Sequence, residues 1–197
     1  MSELTLIEKL RPTQLTLGMR EVERRAEEIK ALSLKRRADY VEQRIVPCVH
    51  GPGDRLYIID RHHMCRALLL IGGAEVHVDV IADTRQLDND EFWTFMDLRG
   101  WVHPFDPNGK RNPIADLPKK IADLQDDPYR ALAGFLRRDQ GFRKEDTPFE
   151  EFIWADFLRR RVDSKLLTSD YDKAKALALE LAHSNEARHM PGWKRPK

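Results

Sequence analysis

Tyr57-Ile58-Ile59-Asp60-Arg61-His62-His63-Met64-Cys65-Arg66-Ala67-Leu68 reads as a strand that stops where a helix begins. The apolar, β-branched run ends at an acid. Two adjacent histidines follow, then helical spacing at Cys65, Leu68, Leu69 and Gly72. The first N–H groups of a helix have no partner inside it, and the helix dipole there favours an anion. Arg61, His62, His63 and Arg66 around that point add donors that match phosphate oxygens. The chemistry this implies is the binding of a phosphate-bearing ligand.

Working outward, residues 44–50 read as a strand, and Gly51-Pro52-Gly53-Asp54 as the turn into the strand Leu56–Ile59. The helix from Arg61 ends at Gly72-Gly73, and residues 75–81 alternate as a further strand. Toward the N-terminus, residues 4–10 read as a first strand broken by Arg11-Pro12-Thr13-Gln14. Gly18-Met19 then opens a helix with apolar positions Met19, Val22, Ala26, Ile29 and Leu32. A charged helix is expected over residues 34–43. Asp88-Asn89-Asp90-Glu91 caps a helix carrying Phe92, Phe95, Met96 and Leu98.

Residues 101–118, rich in proline and glycine, read as a linker between a core of residues 1–100 and a helical region of residues 119–197. There Asp127-Pro128 starts one helix. Thr147-Pro148-Phe149-Glu150 has the pattern of a capping box, and Ser169-Asp170 precedes a third helix. The tail after Arg188 reads as irregular. The expected class is α+β: a small mixed sheet with helices, plus a C-terminal helical appendage.

The 197 residues carry 34 Lys and Arg against 33 Asp and Glu, a net charge of +1. Non-specific DNA binders carry a strongly basic face. The balance therefore argues against an extended DNA-wrapping surface and leaves room for a local basic patch. No apolar run approaches the ~20 residues of a membrane helix, and no signal peptide is visible. Two cysteines, Cys48 and Cys65, make neither a disulfide framework nor a CxxC metal pair, so a cytoplasmic protein with reduced thiols is expected. GxxxxGK[ST], GxGxxG and GxSxG are absent, which removes P-loop, Rossmann and α/β-hydrolase readings.

The order of elements, with Ile58-Ile59-Asp60-Arg61-His62-His63-Met64 at a strand–helix turn, resembles the ParB/sulfiredoxin superfamily. Further stretches resemble its ParB-like nuclease branch: Leu10-Arg11-Pro12-Thr13-Gln14 with Gly18-Met19-Arg20-Glu21-Val22, Asp127-Pro128-Tyr129-Arg130, and residues 149–158. Two positions depart from the pattern. Arg61 stands where many relatives have glycine, and Met64 where sulfiredoxin-like members have arginine.

The resemblance implies a site for nucleotide or nucleic-acid phosphates, with ATP or CTP as ligand and Mg²⁺ as the metal. The implied reaction is phosphodiester or nucleotide hydrolysis, as in a nuclease. The alternative is a non-catalytic nucleotide switch or DNA-binding adaptor of a partition-like system. In such a site His63 matches the family histidine and faces the phosphate as donor or acid, and His62 packs beside it. Glu21 is the base or a metal anchor, and Arg20 and Arg66 are charge stabilisers. Asp60 either binds metal or caps the helix. Thr13 and Gln14 either touch a base or ribose or serve turn chemistry. One cleft is expected to unite the helix starts at Gly18–Glu21 and Asp60–Arg66.

In the helical region Phe149, Phe152, Trp154 and Phe157 read as core rather than as a stacking platform. Arg137-Arg138 and Arg159-Arg160-Arg161 read as helix-end cations.

Overall fold

A computed structural model describes residues 3–195. The chain divides into two compact units. The first holds residues up to 17, 22–106 and 111–125; the second holds 18–21, 107–110 and 126 onward.

The first unit is built on a five-stranded mixed sheet. Its strands are β1 (Glu3–Leu6), β2 (Leu10–Pro12), β4 (Val46–Gly51), β5 (Arg55–Ile58) and β6 (Glu75–Asp83), in the order β1-β6-β4-β5-β2. A further short strand, β3, spans Thr16–Leu17. β1 runs antiparallel to β6 and β4 antiparallel to β5, while β4–β6 and β2–β5 are parallel. The expected first strand over residues 4–10 is in fact two strands on opposite edges of this sheet, separated by a 3-10 turn at Ile7–Lys9.

That link dictates the sheet's shape. Four gaps of about 4.8 Å would set the outer strands of a flat sheet ~19 Å apart. The four residue steps from Leu6 to Leu10 reach at most ~14 Å. The sheet therefore curls so that its edges approach. Ile7 and Leu10 are buried inside the curl, and the Ile7 N–H donates to Ala74 O at 2.7 Å. Pro12 ends β2 rather than preceding it. At a sheet edge its missing N–H leaves no ladder bond unmade.

Helix α1 (Met19–Lys30) buries Val22, Ala26 and Ile29, as its period predicts. Next come α2 (Leu34–Glu42), α3 (His62–Leu70) and α4 (Asn89–Leu98). Asp88 closes a full capping box with Glu91 at the start of α4. Gly53 and Asp54 turn the β4–β5 hairpin with positive φ.

Residues 101–118 do not form the expected free linker. Residues 101–106 and 111–118 belong to the first unit, and backbone bonds hold them there: His103 N–H to Thr13 O at 2.8 Å, and Asn112 N–H to Pro104 O at 2.7 Å. Gln125 in strand β7 (Gln125–Asp126) donates to Leu15 O at 3.0 Å.

The second unit is helical: α5 (Pro128–Arg138), α6 (Glu150–Arg159), α7 (Ser164–Ser169) and α8 (Tyr171–Ala182). Phe152, Trp154 and Phe157 are buried in its core, with the Phe142 ring stacked on Trp154 at 4.8 Å. Asp127 caps α5, with Pro128 in the first turn, and its carboxylate accepts from Arg159 at 2.6 Å.

The capping box expected from Thr147 does not form. Phe149 takes the N-cap position in the left-handed region, no side chain caps the helix, and Glu150 instead accepts from the Glu145 N–H. The capping-box pattern was overruled because the turn is set by backbone bonds such as Glu150 N–H to Thr147 O. Helix α7 has no counterpart in the sequence reading. The tail is irregular as expected, yet anchored: Arg143 N–H donates to Gly192 O, Trp154 Nε1 to Pro191 O and Trp193 Nε1 to Ser184 O.

A Cβ at Gly51 would lie 2.7 Å from the Tyr57 ring and 2.8 Å from the Phe92 ring, both buried. Gly51→Ala is expected to cost about 1–3 kcal/mol by overpacking. A shift of the urea midpoint without a change in slope checks this.

Candidate functional site

Strand β5 ends at Ile58. Ile59 and Asp60 follow, and Arg61 then turns the chain into α3 with φ 68° and ψ 14°. This left-handed conformation costs a residue with a Cβ about 1–2 kcal/mol. Glycine adopts it freely, with no Cβ to strain. Asp60 is not the N-cap residue. It stands one position earlier and its Oδ1 accepts from the Arg61 N–H at 2.6 Å, which braces the turn.

Thr13, just past β2, ties this turn to the sheet edge. Its N–H donates to His62 Nε2 at 3.2 Å, its hydroxyl donates to Ile58 O at 2.8 Å, and its carbonyl accepts from His103 N–H. Thr13 is 0% exposed and His62 only 4%. Because Nε2 accepts, the proton of the neutral His62 ring sits on Nδ1. Gln14 is buried and donates to Thr16 O at 2.7 Å. Thr13 and His62 thus hold the turn together, and Thr13 and Gln14 take the turn role that the sequence left open beside a ligand contact. Only part of that could be foreseen, since buried hydrogen bonds between residues 49 apart leave no mark on local sequence.

His63, Arg61 and Arg66 remain partly exposed at the same helix start. His63 and Arg66 are one turn apart on α3 and share a face. Arg61 and Arg66 each have a buried Nε with no hydrogen-bond partner. Neither has a carboxylate ion-pair partner among the described residues. Helix α3 carries no acid in its first turn and no side-chain cap. Helix α6 also starts on an uncapped left-handed residue, but Glu150 and Glu151 fill its first turn. The start of α3 therefore favours an anion and that of α6 repels one. Beside α3 packs the 3-10 turn Ile121–Asp123, preceded by the exposed Lys119 and Lys120, and Arg11 donates to Lys119 O at 2.6 Å.

Met64 and Cys65 point into the core. Burial, then the nearby Cys48 and Asp60, pushes the Cys65 thiol up to about 12; burial and Asp79 push Cys48 up to about 12 as well.

Arg20 and Glu21 lie in the second unit and are engaged there. The Arg20 guanidinium sits 4.2 Å over the Tyr171 ring and donates to Leu167 O. Glu21 is 7% exposed and paired with Arg138. Its carboxylate lies against Gly134, between Arg130 and Arg138 on one face of α5. The two helix starts expected to share one cleft thus belong to different units. Arg137, Arg159, Arg160 and Arg161 are also ion-paired, with Glu151, Asp127, Asp156 and Glu186. Among the described residues no group of three or more His, Cys, Asp or Glu is arranged to hold a metal ion. No helix among the described residues is long and apolar enough to cross a membrane.

The strand–turn–helix arrangement and its sheet define a class that the comparisons specify. A family model described as "Putative ParB-like nuclease" matches residues 4–160, and the chain belongs to that family. The crystal structure of protein Atu1540 from Agrobacterium tumefaciens is similar: 47% identical, with a TM-score of 0.93, covering 98% of this chain and 96% of that one. No curated protein matches.

Arg61→Gly relieves the left-handed strain and is expected to raise the unfolding free energy by about 0.5–1 kcal/mol, read by denaturant titration. Both thiols are expected to resist alkylation at pH 8.5 in the native protein and to react in denaturant. Their contribution to stability is intact below the ordinary value of 9.0 and is lost as pH rises toward about 12.

Proposed function

We propose that the first unit binds a phosphate group of a nucleotide or nucleic acid at the start of α3. The observation that carries this reading is the pair Arg61 and Arg66, partly buried, whose Nε atoms have no hydrogen-bond partner among the described residues, at a helix with no side-chain cap and no acid in its first turn. A buried guanidinium nitrogen without an acceptor is costly, and a phosphate oxygen supplies one in the geometry arginine favours. First-turn N–H groups add donors, and His63 flanks them. Thr13 and His62 act as positioning residues, because their hydrogen bonds hold the turn rather than reach outward.

Lys119 and Lys120 lie on the approach to α3, which favours a ligand with more than one phosphate: a nucleotide di- or triphosphate such as ATP or CTP, or a nucleic-acid backbone. Mg²⁺ usually binds through one or two carboxylates and the substrate's own phosphates. Asp60 is the carboxylate at this turn that fits that role. Glu21 does not fit it, being bound to Arg138. The reading is therefore binding first. Hydrolysis is the second reading, favoured by the partly exposed His63, which would donate a proton to the leaving oxygen. Two buried, reduced thiols suit a cytoplasmic setting.

The test is thermal stability of the wild type, Arg66→Ala and His63→Ala with ATP, CTP, GTP or a short DNA duplex, each with and without Mg²⁺. A ligand at about 100 times its dissociation constant adds ~2.7 kcal/mol, a rise of several degrees. Arg66→Ala is expected to weaken binding at least about tenfold by losing a charge-assisted hydrogen bond. No response to any phosphate ligand in the wild type would sink the proposal. Turnover that disappears in His63→Ala while binding persists selects hydrolysis.

A further inference from the structure

Strand β2 lies parallel to β5, with Arg11 opposite Tyr57 and Pro12 opposite Ile58. Arg11 is two residues, or ~7 Å of strand, before Thr13. The Thr13 N–H in turn bonds His62, the first residue of α3. The Arg11 guanidinium reaches the segment ahead of the 3-10 turn Ile121–Asp123 and donates to Lys119 O at 2.6 Å. That turn packs on both α3 and β2, and its Ile121 is buried. The backbone is therefore fixed on both sides of Lys120, by the arginine bond at Lys119 and by the burial of Ile121. The side chains of Lys119 and Lys120 stay exposed. All these residues belong to the first unit.

Arg11, Arg61, Arg66, Lys119 and Lys120 have no carboxylate ion pair among the described residues. Other arginines of this unit do: Arg24 with Glu28, Arg85 with Asp83 and Arg111 with Asp97. The acids on the same segments are Asp60, Asp116 and Asp123, fewer than the cations, and Asp60 is already bonded to the Arg61 N–H. Like charges gathered on one surface repel, and an anion shared among them relieves this. Arg11 bonds a carbonyl rather than an acid, so it holds the lysine segment without neutralising it.

The two sets of cations differ in kind. A guanidinium is a planar fork that fits two oxygens of one phosphate, whereas a lysine is a compact charge on a flexible stem. Arg61 and Arg66 suit one phosphate held in a fixed place, and the lysines suit a neighbouring one whose position varies. Asp116 and Asp123 flank the lysines along the chain, so the basic patch is short and fits a compact run of phosphates better than a long backbone. Resting on the reading of α3 as a phosphate site, we propose that Lys119 and Lys120 form a second subsite for the phosphates that adjoin the one at α3, with Arg11 as their positioning residue. The ligand class is a phosphoanhydride chain, the di- or triphosphate end of a nucleotide, and the site selects by the number of phosphates.

The experiment is a phosphorus NMR titration of the full chain with orthophosphate, pyrophosphate and tripolyphosphate, without divalent cations. In the wild type, affinity is expected to rise at least about tenfold from orthophosphate to pyrophosphate, since a further charge-assisted contact forms. Lys119→Ala with Lys120→Ala is expected to flatten that step and leave orthophosphate binding unchanged. Arg11→Gln removes the tether but keeps both lysines, and is expected to shrink the same step while circular dichroism shows the fold intact. A step that survives the double lysine variant, or a wild type that binds all three anions equally, overturns this inference and leaves the α3 site standing. A wild type that binds none of them overturns the α3 site and this inference together. A short single-stranded DNA that binds more tightly than tripolyphosphate, and loses that advantage in the lysine variant, assigns the lysines to a nucleic-acid backbone and overturns the phosphoanhydride reading.

Discussion

A link of three residues, Ile7–Lys9, between the two edge strands of a five-stranded sheet is the constraint on which the first unit rests. It cannot span a flat sheet, so the sheet curls. Parallel pairing of β2 with β5, Pro12 opposite Ile58, brings the chain past β2 alongside the end of β5, and there Thr13 becomes the joint. Three of its groups bond to two separated parts of the chain: the turn, at Ile58 and His62, and His103. With Thr13 fully buried, each of those bonds must be made, because an unmet polar group there costs about 1–3 kcal/mol. The start of α3 is therefore held by backbone and buried side chains. Its outward cations are spared that duty.

The distribution of arginine partners separates structure from candidate function. Arg137, Arg138, Arg159, Arg160 and Arg161 look in sequence like basic clusters, yet each finds a carboxylate in the second unit. Arg61 and Arg66 look like two scattered residues, yet at a helix start each has an Nε with no hydrogen-bond partner among the described residues. Net charge of +1 hides this, since pairing is decided at 3–4 Å and a sum over the chain has no distance in it. The same logic removes Glu21: a carboxylate held by Arg138 has lost the freedom a base or metal ligand needs.

Periodic and capping signals were read where they act locally. The stripe Val22, Ala26 and Ile29, the Asp88–Glu91 box, Pro128 behind Asp127 and the Gly53–Asp54 turn all came through, because each is settled within a turn or two of chain. The failures share a different character. Residues 4–10 alternate like one strand, but the two halves pair with different partners. Thr147-Pro148-Phe149-Glu150 spells a capping box, but Phe149 is left-handed and Glu150 accepts from the Glu145 N–H instead. The proline-rich stretch 101–118 reads as linker, but residues 101–106 and 111–118 belong to the first unit, where His103 bonds Thr13 and Asn112 bonds Pro104.

By itself the sequence determined the α+β class, the order of most elements, the buried aromatic helix around Trp154 and the strand-to-helix turn at Asp60–Arg66. Hydrophobic period, capping chemistry and turn residues are properties of neighbours along the chain. The resemblance already set His63 outward with His62 packed beside it; tertiary structure alone decided that Thr13 supports the turn, that Met64 and Cys65 are core and that Arg61 and Arg66 are left partly exposed. It also placed Arg20 and Glu21 in the second unit. The physical reason is that burial and pairing depend on what folds against a residue from far along the chain. Thr13 and His62 are 49 positions apart and Glu21 and Arg138 are 117 apart, separations at which no local pattern operates.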